Sequence, residues 1–201
     1  MKYIFKPAAV LFITAVITVT LLSVVYNLTL EPIENQKRKT QEAAMKEVLP
    51  GADKFSEIQA ELSGSMTAVY EGLKDDMLIG YVVMMSPKGY GGAIDLITGI
   101  SVLTNTLIGM RVIKHTETPG LGALAVKANF YRQFNSRELV RLNVTRTSPG
   151  EHEIQAITSS TITTRAITNA VNEAIEWYLR THISYNVKDA QEDSEDGGEN
   201  E

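Results

Sequence analysis

The chain has 201 residues, room for one ordinary domain with additions, and 44% of them are hydrophobic. Its formal net charge of -5 is gathered at one end: Asp189 to Glu201 carries seven acids and no base, which leaves 17 acids against 19 bases elsewhere. The absence of cysteine excludes disulfides, thiolate metal sites, iron–sulfur clusters and a cysteine nucleophile, and no basic patch interleaved with aromatics points to nucleic acid.

Between Lys6 and Glu31 lie 24 uncharged residues, "PAAVLFITAVITVTLLSVVYNLTL". As a helix they extend about 36 Å, enough for a hydrocarbon core of about 30 Å. The run exceeds the apolar region of a signal peptide, and no small-x-small cleavage site follows it, so residues 7–30 read as a retained transmembrane helix. Lys2 and Lys6 precede the span, and Glu31 and Glu34 follow it. This assigns residues 1–6 to the cytoplasm and the rest to the far side of a cell (inner) membrane crossed once. Lys37, Arg38 and Lys39 act against that bias. The span holds no carboxylate, so it is an anchor or packing partner and not an ion path.

Residues 31–50 follow as a stalk or packing helix, with Ile33, Ala43, Ala44, Met45 and Val48 among charges and Pro50-Gly51 as its stop. Met66–Tyr70, Leu78–Met85 and Thr106–Lys114 have the Val, Ile, Met and Thr content of strands. Ala123–Phe134 reads as a helix. So does Thr164–Tyr178, where Ile167, Val171, Ala174, Ile175 and Tyr178 form one apolar face. Residues 51–185 are therefore expected to form one α+β domain of mixed sheet and helices. Residues 186–201 are expected to be a disordered acidic tail.

Three stretches invite a chemical reading. "HTETPGLGA", His115 to Ala123, joins a strand to a helix. Pro119 fixes one backbone angle, Gly120 and Gly122 admit a positive φ or a flat ligand, and Glu117 and Thr118 add an acceptor and a hydroxyl. A plain turn capped by Glu117 or Thr118 explains it equally well. His115, His152 and His182 show no ligand spacing, so no metal site is expected. "GYGGAID", Gly89 to Asp95, is neither a P-loop nor a dinucleotide fingerprint; it reads as a hairpin or bulge, which could still let backbone approach a ligand. "ITSSTITTRA", Ile157 to Ala166, carries six hydroxyls in ten residues. It lies between a possible strand, Glu153–Thr158, and the last helix, where free amides and the helix dipole favour an anion such as phosphate. One helix cap needs fewer hydroxyls than this. No G-x-S-x-G elbow is present, so a serine triad is not indicated and no catalytic residue is assigned.

Together "HTETPGLG" and "QAITSSTITTRAITNAV" resemble the FMN-binding domain of the G subunit of Rnf complexes and of its relative, the C subunit of sodium-pumping NADH:quinone reductases. The resemblance covers nearly the whole chain. It implies FMN held covalently, its phosphate esterified to a threonine within a pattern similar to D-x-x-S-G-A-T-x-[ST]. On this sequence the modified residue is Thr161, with Gln155 in place of the acid, Ser159 of the glycine and Ser160 of the alanine. Ser159, Ser160, Ile162, Thr163 and Thr164 would surround the phosphate, and the flat ring would pack near Glu117, Thr118, Pro119, Gly120, Leu121 and Gly122. The implied role is a redox carrier within an ion-translocating ferredoxin:NAD oxidoreductase, not catalytic alone. Other integral-membrane redox subunits would be its partners, and a flavin transferase would act during maturation. A stand-alone membrane-tethered flavoprotein, a quinone-reductase C-type subunit and a non-redox scaffold are the alternatives.

Overall fold

The computed structural model describes the backbone of residues 2–195 and the side chains of residues 7–181. The chain divides into two compact units, Met1–Glu42 and Ala43–Glu201.

The first unit is helical. Helix α1 (Lys2–Val48) passes through Pro32 without a break, so the expected span, 7–30, and the expected stalk or packing helix, 31–50, run on as one helix as far as Val48. Proline removes one amide donor, but the residues beyond it are mostly Glu, Gln, Lys, Arg, Ala and Met, which favour helix. Leu11, Phe12, Leu22 and Leu28 are each about 70% exposed, as side chains meant for lipid would be. The polar residues of the run turn back on their own helix. Thr14 donates to the Leu11 carbonyl, Thr18 to Thr14, Thr20 to Val16, and Asn27 to Ser23, at 2.8–2.9 Å. A hydroxyl satisfied this way carries little penalty in hydrocarbon. Helix α1 thus contains a stretch long and apolar enough to cross a membrane.

The second unit is built on a six-stranded antiparallel meander of β1 (Lys54–Ile58), β2 (Met66–Lys74), β3 (Met77–Met85), β4 (Ile94–Ser101), β5 (Thr106–His115) and β6 (Arg137–Glu138). Short strands β7 (Asn143–Thr145) and β8 (Glu153–Gln155) pair in parallel beside it. The sequence pattern located β2, β3 and β5 but not β4. That strand is buried on both faces, so "IDLITGIS" shows no alternation.

One sheet face packs against α3 (Thr161–Glu195), whose Ile167, Ala170, Val171, Ala174, Ile175 and Tyr178 are all at most 2% exposed. Each large apolar side chain buried there contributes about 1.5–3 kcal/mol. Tyr81 meets the rings of Trp177 and Tyr178 edge-on at 5.4 and 6.1 Å. Asn172 fastens the middle of the helix by accepting from the Leu142 amide and donating to the Leu142 carbonyl, both at 2.9 Å. The other face is covered by Met45, Val48, Leu49 and Ala52. Gly99 makes that approach possible: a Cβ there would overlap the Val48 carbonyl.

The helix expected over Ala123–Phe134 is three pieces: a 3-10 turn (Gly122–Val126), α2 (Ala128–Tyr131) and a second 3-10 turn (Arg132–Phe134). Ala125, Phe130 and Phe134 are all buried, and a spacing of five residues between the first two would put them on different faces of an unbroken helix. Extended Lys127 (φ -84°, ψ 147°) makes the correction. The expected strand Glu153–Thr158 stops at Gln155. The backbone of α3 is helical to Glu195. The acidic tail expected over 186–201 falls where side chains, and from 196 the backbone, lie outside the described residues.

Candidate functional site

Three loops separated in sequence are drawn together by one carboxylate. Strand β5 ends at His115, whose Nδ1 accepts the Glu117 amide at 3.2 Å. This turns the Glu117 side chain inward, where it is 6% exposed. Its Oε1 accepts the Gly91 amide of the glycine-rich turn at 2.9 Å, and its Oε2 accepts the Thr163 hydroxyl of α3 at 2.8 Å. Thr116 reinforces the first link by donating to the Gly91 carbonyl at 3.0 Å. A buried carboxylate is tolerable only when so paired, and its charge also lies by the positive end of α3.

Gly122 is shaped by this junction. A Cβ on it would overlap Glu117 Oε2 and lie 2.8 Å from Thr163 Oγ1. The intervening turn closes on Thr118, whose carbonyl accepts the amides of Leu121 and Ala123 at 3.1 and 3.3 Å, with Gly120 at φ +78°.

The hydroxyl cluster divides into buried and available members. Thr164 is fully buried; its Oγ1 accepts the Ile157 amide and donates to the Ser160 carbonyl, both at 3.1 Å. Thr163 is 1% exposed and committed to Glu117. Thr158 lines a different hollow, with Lys127, Phe130 and Gln133. Ser159 and Thr161 remain accessible, and with the buried Ser160 they line a cavity of about 480 Å³ together with Glu117, Thr118, Leu121, Gly122, Ile162, Thr163, Tyr90 and Arg146. Ser159 sits at φ +61°, the left-handed region. That is the position where the pattern carries glycine, so the backbone accounts for it. Ser160 gives its carbonyl to the Thr164 amide at 3.0 Å, so it is the cap and Thr161 the first helical residue. The amides of Thr161, Ile162 and Thr163 therefore have no intrahelical acceptor and suit an anion.

Of the residues expected from sequence, Thr161, Ser159, Ser160, Ile162, Thr163, Glu117, Thr118, Leu121 and Gly122 come together on this cavity. Pro119 and Gly120 shape the turn without lining it, and Thr164 lies beneath it. Tyr90 and Arg146 were not expected. Tyr90 sits in the glycine-rich turn that read as a hairpin, and Arg146 has no motif around it to mark it. Among the described residues no cluster of His, Asp and Glu could hold a metal.

Residues 89–176 match the family model of the FMN-binding domain, and residues 1–48 match that of the RnfG N-terminal region. The chain is 36% identical over 193 residues to the G subunit of the Na(+)-translocating ferredoxin:NAD(+) oxidoreductase complex of Acetobacterium woodii, covering 88% of this chain and 92% of that one. It is 35% identical over 174 residues to the G subunit of the proton-translocating ferredoxin:NAD(+) oxidoreductase complex of Clostridium ljungdahlii, with 86% and 90% covered. It is 30% identical over 181 residues to the G subunit of the ion-translocating oxidoreductase complex of Methanosarcina acetivorans, with 88% and 95% covered. Among solved structures it is similar to the C subunit of the Na(+)-translocating NADH-quinone reductase from Parabacteroides distasonis, with a TM-score of 0.52 and 15% identity over 72% of this chain and 94% of that one. At that identity the likeness concerns fold alone.

The cavity fits a phosphate-bearing planar group. Its volume falls in the range of about 300–1,000 Å³ usual for small-molecule sites. The free amides of α3 and Arg146 suit the phosphate, and Tyr90, Leu121 and Ile162 offer apolar surface to a ring.

Proposed function

Because the chain belongs to the family of G subunits of ion-translocating oxidoreductase complexes, we propose that it is the electron-transfer subunit of such a complex, of the ferredoxin:NAD type, with FMN esterified through its phosphate to Thr161. The observation that carries the assignment is the division of the hydroxyl cluster. Thr163 and Thr164 are buried and spend their hydroxyls within the protein, while Thr161 lies half-buried on the cavity at the first turn of α3.

In the ester the Thr161 oxygen would take the place of one oxygen substituent on the flavin phosphorus, that P–O bond breaking as the hydroxyl proton departs, so the chain would gain the mass of FMN less one water. A flavin transferase supplies the group during maturation. The bound flavin takes up and passes on electrons, and that chemistry belongs to the cofactor. The protein's own contributions are positional. Glu117 fixes the glycine turn, the loop after β5 and the start of α3 against one another. The amides of α3 would hold the phosphate, and Leu121 and Tyr90 would bound the ring. Attachment through an ester removes dissociation from the problem on the outer face of the membrane, where a lost flavin is not replaced. Helix α1 serves as a single-pass anchor, and the flanking lysines favour an extracytoplasmic C-terminal unit. Neighbouring integral-membrane redox proteins of the complex deliver and receive the electrons.

The test is denaturing gel electrophoresis of the chain purified from its own host. Flavin fluorescence should migrate with the wild type and vanish in Thr161→Ala, and mass spectrometry should place the added mass within Glu153–Arg165. A fluorescent Thr161→Ala band would refute the assignment. Protease added outside the cell should digest the C-terminal unit; protection there would reverse the orientation.

A further inference from the structure

Arg146 follows β7 directly and lines the cavity beside Ser160 and Thr161. Other arginines are spoken for: Arg111 holds Glu47 at 2.8 Å, Arg137 the Gln133 carbonyl at 2.7 Å and Arg141 Glu176 at 3.0 Å. Among the described residues no hydrogen bond or ion pair engages Arg146. The other charged group on the cavity, Glu117, is buried and held by an internal donor on each oxygen. The charged side chain left without a partner at this cavity is therefore Arg146. Around it stand further donors, namely the amides that open α3 and the hydroxyls of Ser159 and Ser160. A site made of donors plus a guanidinium calls for an anion with several acceptor oxygens, and the planar fork of arginine matches phosphate in two-point fashion.

We propose that Arg146 is a positioning residue of this site, binding the phosphate oxygens of the flavin ester and holding them against the first turn of α3. This rests on Thr161 being the attachment point. It adds a residue that neither motif contains, placed on the loop after β7, ahead of the hydroxyl cluster and outside it. The ester keeps one negative charge at every working pH, so the contact would persist whatever the redox state of the ring.

The experiment uses the full chain produced with its flavin-transfer machinery, as wild type, Arg146→Ala, Arg146→Gln and Arg146→Lys. Two properties are read: flavin on denaturing gels, and the phosphorus-31 resonance of the attached phosphate in the folded protein. Arg146 is exposed and loop-borne, so all three variants should keep the wild-type far-UV circular dichroism. The Ala and Gln variants should show a displaced, narrower phosphorus resonance, or lose flavin altogether, while the Lys variant stays loaded with a resonance near that of the wild type. A loaded Ala variant with an unmoved resonance overturns the proposal. So does an altered flavin absorbance with an unmoved resonance, which would set Arg146 against the ring instead. A wild type without attached flavin refutes the Thr161 reading itself, and the role of Arg146 falls with it.

Discussion

Replacing Gly122 with alanine tests whether Glu117 is the joint of the site. The added Cβ would overlap Glu117 Oε2 and come within 2.8 Å of Thr163 Oγ1. The carboxylate is buried among three chain segments, so it cannot swing to solvent without leaving both donors. Losing one hydrogen bond to a charged group costs about 1.5–3 kcal/mol, and forcing a methyl into a packed interior about 1–3 kcal/mol. Together they imply a destabilisation of roughly 3–5 kcal/mol, a large share of the ~5–15 kcal/mol typical of a domain. In melting temperature that is roughly 6–20 °C for a chain of this size. The assay is thermal and denaturant unfolding of the full chain in detergent, followed by circular dichroism and by the fluorescence of Trp177, its single tryptophan. Gly120→Ala is the control. Gly120 has φ +78° with nothing within 4 Å of a Cβ, so only the left-handed backbone penalty of about 1–2 kcal/mol applies. If Gly122→Ala costs no more than Gly120→Ala, the joint does not exist. In a Glu117→Ala background the excess should shrink, since the partner it displaces is gone.

Asn172→Ala would strip the Leu142 amide and carbonyl of their partner in a region where Leu142 is 2% exposed. A loss of roughly 2–4 kcal/mol is expected in equilibrium denaturation, and a loss under about 1 kcal/mol would contradict the pairing. Burial raises the Tyr178 hydroxyl above its ordinary 10.0, and that hydroxyl donates to Asn105 Oδ1 at 3.1 Å. Above that value the unfolded chain gives up this proton before the folded one does. The stability tied to Tyr178 is therefore complete below it and declines as pH rises. The advantage of wild type over Tyr178→Phe should accordingly narrow on passing into the alkaline range, and an unchanging difference in denaturation midpoint would rule this out.

Much of the site could be read before any fold was known, because its residues are clustered locally. "ETPGLG" and "SSTITT" are each a few residues long, and the requirements they meet are local ones: a turn with positive φ, and hydroxyls at a helix start. The apolar run of α1 was legible for the same reason, since crossing a hydrocarbon layer depends on composition and length alone. Strand β4 escaped because a strand buried on both faces loses the alternation that marks a strand, and the 123–134 helix was overread because apolar content does not reveal a spacing that breaks the helical period. The division among the six hydroxyls was decided by packing: Thr163 and Thr164 differ from Thr161 only in where the helix surface points once Glu117 and Ile157 have come to meet it. Arg146 reaches the cavity from a loop that nothing in its own neighbourhood ties to it, and Tyr90 from a glycine-rich turn whose sequence marks a bend but not what the bend faces. The sequence by itself determined a helix long and apolar enough to cross a membrane, the α+β class and the two motifs that meet at the cavity, whose physics is local. Only the tertiary structure decided which hydroxyls stay available and which cation faces them, because those depend on contacts between separate segments of the chain.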